Sequence, residues 1–267
     1  MADFSAKDIQ RLRQSSGAGM MDAKKALIAT DGDFDAAAKW LMEKGLAKSV
    51  ERSDRDSSQG AVALGASGGA RSMVSLRCET DFVAKSADFV NLVQVIADAV
   101  AAEGPAAAER FNAQVDEFRV SLKENITVGD VVHFEAADGH LLDSYLHIQN
   151  ERGVNGVLVE VAAGTQELAH DLAVHIAFSR PGTMTRDEIP EAEIAEQREV
   201  FAMQTRNEGK PEGAIAKIVE GKLGGYFKRV PGGALLDQPF VKDDKQSVAK
   251  AIGAATIVRF AQVEIGG

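Results

Sequence analysis

The run Cys78-Glu79-Thr80-Asp81-Phe82-Val83-Ala84-Lys85 places a thiol, three side chains that carry charge near neutrality, a hydroxyl and an aromatic ring within eight residues. Three chemistries are open to it. Cys78 is the one cysteine of the chain, and as a nucleophile it needs a neighbouring base, which the sequence does not place; at the end of a strand such a residue is ordinarily a small buried apolar group. Metal binding is a second possibility. His170 and His175 are five residues apart and point differently on a helix, and Cys78 has no second sulfur nearby, so no ligand set forms. The third chemistry is recognition, in which Asp81 and Phe82 offer an acid and a rigid aromatic to a partner from a corner of the chain. Its ordinary alternative is Thr80 or Asp81 as a helix cap with Phe82 in the core. Gly65-Ala66-Ser67-Gly68-Gly69 looks superficially like a nucleophile elbow, yet it joins strand to strand where the elbow joins strand to helix. No phosphate-binding glycine loop and no dinucleotide fingerprint occurs, so direct nucleotide binding is not expected. The residues point to a protein with no metal, no cofactor and no catalysis of its own, acting on another macromolecule.

The elements that must position the corner follow from periodicity. Residues 73–78 alternate apolar and polar as a half-buried strand does. Phe89, Val90, Val93, Ile96, Ala97 and Val100 recur at three- and four-residue spacing, the apolar face of a helix starting near Ala87. Thr80-Asp81-Phe82 lies between the two. With a strand at 61–64 and a turn over 65–69, this is a hairpin followed by a helix. A further helical stretch at 106–122 and a strand at 131–134 complete the copy. The pattern recurs with strands at 144–148 and 157–161, a turn over 150–153, a helix from Gln166 to Phe178 and strands around 239–241 and 256–261. Each copy predicts a small antiparallel sheet covered by helices, an α+β arrangement. Only the first has the acid and the aromatic; the second has Ala162-Ala163-Gly164-Thr165 at that bend. An interruption at 190–226 carries Ile194, Val200, Phe201 and Met203 on one helical stretch and Ile215, Ile218, Val219 and Leu223 on the next, a solvated helical hairpin.

Ahead of this core, Ser5 caps a helix with Asp8 at its third position, and Phe4 and Ile9 stand where a hydrophobic staple would join them. That helix stops at Ser15-Ser16-Gly17-Ala18-Gly19. A second runs from about Met21 to Asp31-Gly32, and a third from Asp33 through Phe34, Trp40 and Leu41 to Lys44-Gly45. Residues 1–48 are therefore a three-helix bundle. Residues 49–60 have almost nothing to bury and read as a linker. The core divides into 61–139 and 140–267, with the hairpin inserted in the latter. The net charge is -10, with ten basic and ten acidic residues in 1–56 and twenty basic against thirty acidic beyond. Neither part suits a phosphate backbone, so no nucleic-acid contact is expected. No apolar run is long enough to cross a membrane, and the amino terminus has no export signal, which with a lone cysteine predicts a cytoplasmic protein.

Ser16-Gly17-Ala18-Gly19-Met20-Met21-Asp22-Ala23-Lys24-Lys25-Ala26-Leu27, followed by the run from Cys78 to Lys85, closely resembles the two signature segments of the bacterial elongation factor Ts family. Ser144-Tyr145-Leu146-His147, His175-Ile176-Ala177-Phe178-Ser179-Arg180-Pro181 and Gln238-Pro239-Phe240-Val241 continue the resemblance in the family's order. It implies a guanine-nucleotide exchange factor for elongation factor Tu, with a bundle like a ubiquitin-associated module, a two-part core and a coiled-coil hairpin. By that resemblance Thr80, Asp81, Phe82 and Val83 form the segment that presses on the partner near its magnesium and phosphate site. Arg13, Met20, Met21 and Lys24 lie in a contact of the amino-terminal bundle, and His147 and Val241 in a contact of the core. The bare residues also allow solvated charges at Arg13 and Lys24, bundle core for the two methionines and a strand-face role for His147.

The sequence departs from the family pattern in places. It ends just after its last strand, where some members continue into a helix. Lys242 stands where some have an apolar contact residue, and Ser75 and Arg77 replace an acid and an amide before Thr80. Two rival readings remain at this stage, a peptide- or ubiquitin-binding adaptor resting on residues 1–48 and a hydrolase resting on Cys78 or Ser67.

Overall fold

The computed structural model describes residues 4–50 and 54–266, and they form mixed helix and antiparallel sheet, the α+β class that the periodicities predict. Two compact units are present. The first takes in the described residues up to His133, Leu146–Asn155 and those from Val263 onward; the second takes in Phe134–Tyr145 and Gly156–Gln262.

In the first unit, α1 (Ala6–Ser16) starts with the expected capping box: Ser5 Oγ accepts the Asp8 N–H at 3.3 Å, and Asp8 Oδ2 accepts the Ser5 N–H at 2.8 Å. Gly17, at φ 64°, lets the chain turn into α2 (Met20–Ala29). α3 (Phe34–Val50) completes a core of Leu12, Ala23, Ala26, Leu27, Ala37 and Leu41, with both staple residues, Phe4 and Ile9, packed on it. α3 does not stop at Gly45. A Cβ there would lie 2.8 Å from Val120 Cγ2 of α6 (Asn112–Leu122), so the glycine serves close helix packing rather than termination. The first two residues of the expected linker are therefore helical, 51–53 lie outside the described residues, and Gln59 already begins a strand.

β1 (Gln59–Ser67) and β2 (Ala70–Cys78) pair antiparallel from Gln59↔Cys78 to Ser67↔Ala70 around a two-residue turn at Gly68-Gly69. Residues 65–67 are thus strand, not turn. A Cβ on Gly65 would run into the Ala97 carbonyl and come within 2.6 Å of Ser72 Oγ, so this glycine admits the backbone of α5 (Ala87–Glu103). α5 buries Phe89, Leu92, Val93, Ile96, Ala97 and Val100 against the hairpin; Val90 is only half-buried, and Leu92 takes the place expected for it. β2 is not a half-exposed strand either. Ser72 and Ser75 are fully buried and hydrogen-bonded, Ser72 Oγ to the Ala97 carbonyl at 2.6 Å and Ser75 Oγ to Asp130 Oδ2 at 3.1 Å, which satisfies their hydroxyls away from water. Arg77 also reaches Asp130, at 3.2 Å, so the two unusual residues of β2 share one acid on β3 (Thr127–Glu135). One small sheet per copy was expected. Instead Gly153, at the start of β5 (Arg152–Ala162), pairs with Val62 of β1.

In the second unit, β5 lies between β4 (His140–Gln149) and β8 (Thr256–Glu264). α7 (Gln166–Ser179) packs Leu172, Ala173 and Ile176 on Val157, Val159 and Val161. Glu160 is buried in this sheet. Burial alone would raise its pKa, but His140 Nδ1 at 2.8 Å and Arg259 Nε at 2.6 Å outweigh that and hold the carboxyl below its ordinary value. α8 (Glu191–Asn207) and α9 (Glu212–Phe227) make the expected hairpin, with Ile215, Val219 and Leu223 against Ile194, Phe201 and Phe227. Val200 and Met203 remain exposed on it. β6 (Pro239–Phe240) and β7 (Asp243–Ser247) form a short pair ahead of α10 (Val248–Ala251).

Candidate functional site

β2 delivers the chain to the corner and buries its last residue, Cys78, completely. The Cys78 thiol donates to the Thr80 carbonyl at 3.2 Å. Burial, and then the negative charge of Glu124, push this thiol up to about 12, so it is neutral near pH 7 and unsuited to nucleophilic attack. Ser67, the other nucleophile considered, closes β1 at the exposed hairpin end.

Thr80 caps the short helix α4 (Asp81–Ala84), its Oγ1 accepting the Val83 N–H at 3.4 Å. One turn of helix has room for few inward residues. Val83 and Ala84 take those places against the α5 core, and Asp81 and Phe82 are left outside. Phe82 is 74% exposed, far from the usual fate of a large aromatic. Lys85 braces both outward residues, its Nζ 3.3 Å from Asp81 Oδ2 and 4.4 Å from the centroid of the Phe82 ring.

The preceding main chain is held from a distant part of the sequence. Glu124 Oε2 accepts the N–H of Glu79 at 3.0 Å and of Thr80 at 3.1 Å, while its Oε1 accepts the Thr80 hydroxyl at 2.6 Å. Glu79 answers with Oε1, which accepts the Asn125 N–H at 2.7 Å. Arg55 adds an ion pair to Glu79 at 3.5 Å, and its carbonyl accepts from Asn125 Nδ2 at 2.9 Å. Sequence reading gave Glu124, Glu79 and Lys85 no role. Lys85 stands in helical register with Asp81, which is a local signal; Glu124 is more than forty residues away and had none.

The remaining candidates lie on other elements. Arg13 on α1 and Lys24 on α2 are exposed, as are Met20 and Met21, because alanine and leucine fill the bundle core. Ile28 extends the same exposed side of α2. His147 is exposed on β4 beside the exposed Ile148. Val241, in the second unit, is exposed, and its N–H donates to Nδ1 of the buried His175 at 3.2 Å. His175 Nε2 lies 3.2 Å from Gln238 Oε1, and Gln238 Nε2 donates to the carbonyls of Ser179, Arg229 and Gly232. Burial lowers the pKa of His175, so the neutral ring is the form that accepts from Val241. Lys242, next in the chain, pairs with Asp171 at 2.6 Å. The corner residues thus form one contiguous site; Arg13, Met20, Met21 and Lys24 are carried by the bundle, His147 by β4 and Val241 by the second unit. Among the described residues there is no cluster of metal-ligating side chains and no helix long and apolar enough to cross a membrane.

A family model described as elongation factor TS matches residues 79–267. A protein named elongation factor Ts from a Nocardioides species is 42% identical over the whole of both chains. Proteins of the same name from Clavibacter michiganensis and Deinococcus radiodurans are each 37% identical, the first over all of both chains and the second over 97% of this chain and 99% of its own. The chain belongs to the elongation factor Ts family. As an elongation factor Ts family member it falls among the translation elongation factors of protein biosynthesis. The family match begins at Glu79, so it includes the exposed Asp81-Phe82 turn, Lys85 and Glu124, and the full-length relatives carry the elongation factor Ts likeness through the bundle.

Proposed function

We propose that this chain is a guanine-nucleotide exchange factor, which binds elongation factor Tu carrying GDP and promotes its release so that GTP can take its place. Asp81 and Phe82 enter beside the partner's magnesium and phosphate site, with Thr80 and Val83 shaping the turn that presents them. The observation that carries this reading is the exposure of Phe82, held outward by a capped turn and by Lys85, within the segment that matches the family. An acid brought against a magnesium site competes for the cation and leaves the phosphates less neutralised, while the ring occupies space that nucleotide binding needs.

Exchange by this route is linkage. A factor that weakens the partner's grip on nucleotide has its own grip weakened equally by nucleotide, so the ternary complex is transient and the commoner nucleotide refills the site. The factor therefore needs no nucleotide site, cofactor, metal or catalytic group of its own. In this reading the three helices α1, α2 and α3 are a module like a ubiquitin-associated domain that contributes Arg13, Met20, Met21 and Lys24, and the stretch between α3 and β1 links it to the core. Segments 61–139 and 140–267 form the two-part core, with 190–226 as its inserted hairpin and His147 and Val241 as further contacts. The exposed methionine pair and the exposed His147 and Val241 support those assignments. The protein works in the cytoplasm, where the translation machinery is.

The test is stopped-flow release of fluorescent GDP from elongation factor Tu with increasing amounts of this chain. The rate should rise and saturate. A rate that stays at the spontaneous value at every concentration refutes the proposal.

A further inference from the structure

We propose that Glu124 is a positioning residue for the exchange reaction: it fixes the main chain from which Asp81 and Phe82 project, without touching the partner's nucleotide site. The inference rests on the reading of Asp81 and Phe82 as the inserted pair.

All three donors that converge on the Glu124 carboxylate belong to the two residues immediately before Asp81: the N–H groups of Glu79 and Thr80 and the Thr80 hydroxyl. Charge-assisted bonds of this kind are about twice as strong as neutral ones. They also set the direction of the cap. Because the Thr80 hydroxyl gives its proton to Glu124, its lone pairs face the Val83 N–H, and the helical turn carrying Phe82 starts in one orientation. The clasp is reciprocal, since Glu79 accepts the Asn125 N–H, so neither strand end can swing without breaking bonds on both sides. Phe82 itself has little packing to hold it, being 74% exposed. Its aim is consequently set by the main chain and by Lys85. An inserted group must arrive where the partner's cation and phosphates are, and a displacement of about 1 Å in such a constellation costs on the order of a hundredfold in rate.

The experiment compares Glu124→Ala, Glu124→Gln, Phe82→Ala and the double variant Glu124→Ala/Phe82→Ala in GDP release from elongation factor Tu at saturating factor. Melting temperatures and the amide proton shifts of Glu79 and Thr80 are recorded alongside. Glu124→Ala should slow release about tenfold and Glu124→Gln, which keeps one acceptor oxygen, about threefold, as expected for partial loss of alignment. The amide protons of Glu79 and Thr80 should move upfield in both variants, as they lose the carboxylate. The double variant should lose less than the product of the two single losses, because part of the Glu124 effect runs through the Phe82 ring and the rest through Asp81, which the same main chain carries.

If Phe82→Ala slows release while both Glu124 variants keep the wild-type rate, the positioning role is overturned and the insertion reading survives. An additive double variant also overturns it, since Glu124 would then not act through the aim of Phe82. A wild-type rate for Phe82→Ala removes the insertion reading and this inference together. Should Glu124→Ala fail to fold, Glu124→Gln against Phe82→Ala decides the question by the same comparison.

Discussion

Phe82→Ala separates a residue held for a partner from one held for the fold. Fully burying a phenylalanine contributes about 1.5–3 kcal/mol. With Phe82 74% exposed in the free chain, about 1–2 kcal/mol of that remains to be gained against a partner. At about 1.4 kcal/mol per factor of ten, its loss should slow stimulated GDP release by about fivefold to thirtyfold. The cost to folding is smaller. The buried quarter of the side chain contributes about 0.5 kcal/mol and the Lys85 ammonium over the ring about 0.5–1 kcal/mol. At about 2–4 °C per kcal/mol the melting temperature should fall by no more than about 6 °C. The assay is stopped-flow release of fluorescent GDP from elongation factor Tu over a concentration series of the variant, with thermal unfolding followed by circular dichroism. Unchanged release at saturation refutes the reasoning. So does a collapse in melting temperature that accompanies the lost activity, because Phe82 would then be acting through the fold.

Two further outcomes follow from the buried parts of the structure. Gly65→Ala should destabilise the first unit by about 2–3 kcal/mol, the upper range for overpacking, because the added carbon meets α5 main chain and Ser72 Oγ rather than a flexible side-chain end; a urea midpoint equal to that of the wild type would show that α5 yields freely. Burial lowers the His175 pKa, so below its ordinary value of 6.5 the unfolded chain takes up a proton that the folded one refuses. The stability that neutral His175 contributes is therefore complete above pH 6.5 and is lost as pH falls towards the depressed folded value, with a slope of up to about 1.4 kcal/mol per pH unit. Denaturation midpoints measured between pH 7 and pH 5 should fall more steeply for the wild type than for His175→Asn, and parallel curves would contradict this.

The sequence by itself settled whatever depends on near neighbours. The Ser5–Asp8 capping box, the Thr80 cap, the apolar face of α5 and the seam of the α8–α9 hairpin all rest on three- and four-residue spacings, and all are present. The signature segments were likewise local, and they carried the family. Tertiary structure decided what depends on distant approach. Gly45 and Gly65 read as a stop and a turn in sequence, because the backbone or side chain that each admits comes from α6 or α5 and leaves no local mark. The polar residues of β2 read as a solvent face until Ala97 and Asp130 supplied partners for Ser72 and Ser75. The corner shows both levels at once. Its acid, its aromatic and its capping threonine were legible, but the outward aim of Phe82 was decided by two inward places already filled and by Glu124, brought to Glu79 and Thr80 only when the chain folds. Spacing along the chain encodes which residues share a face; which distant group completes a hydrogen bond is fixed by packing alone.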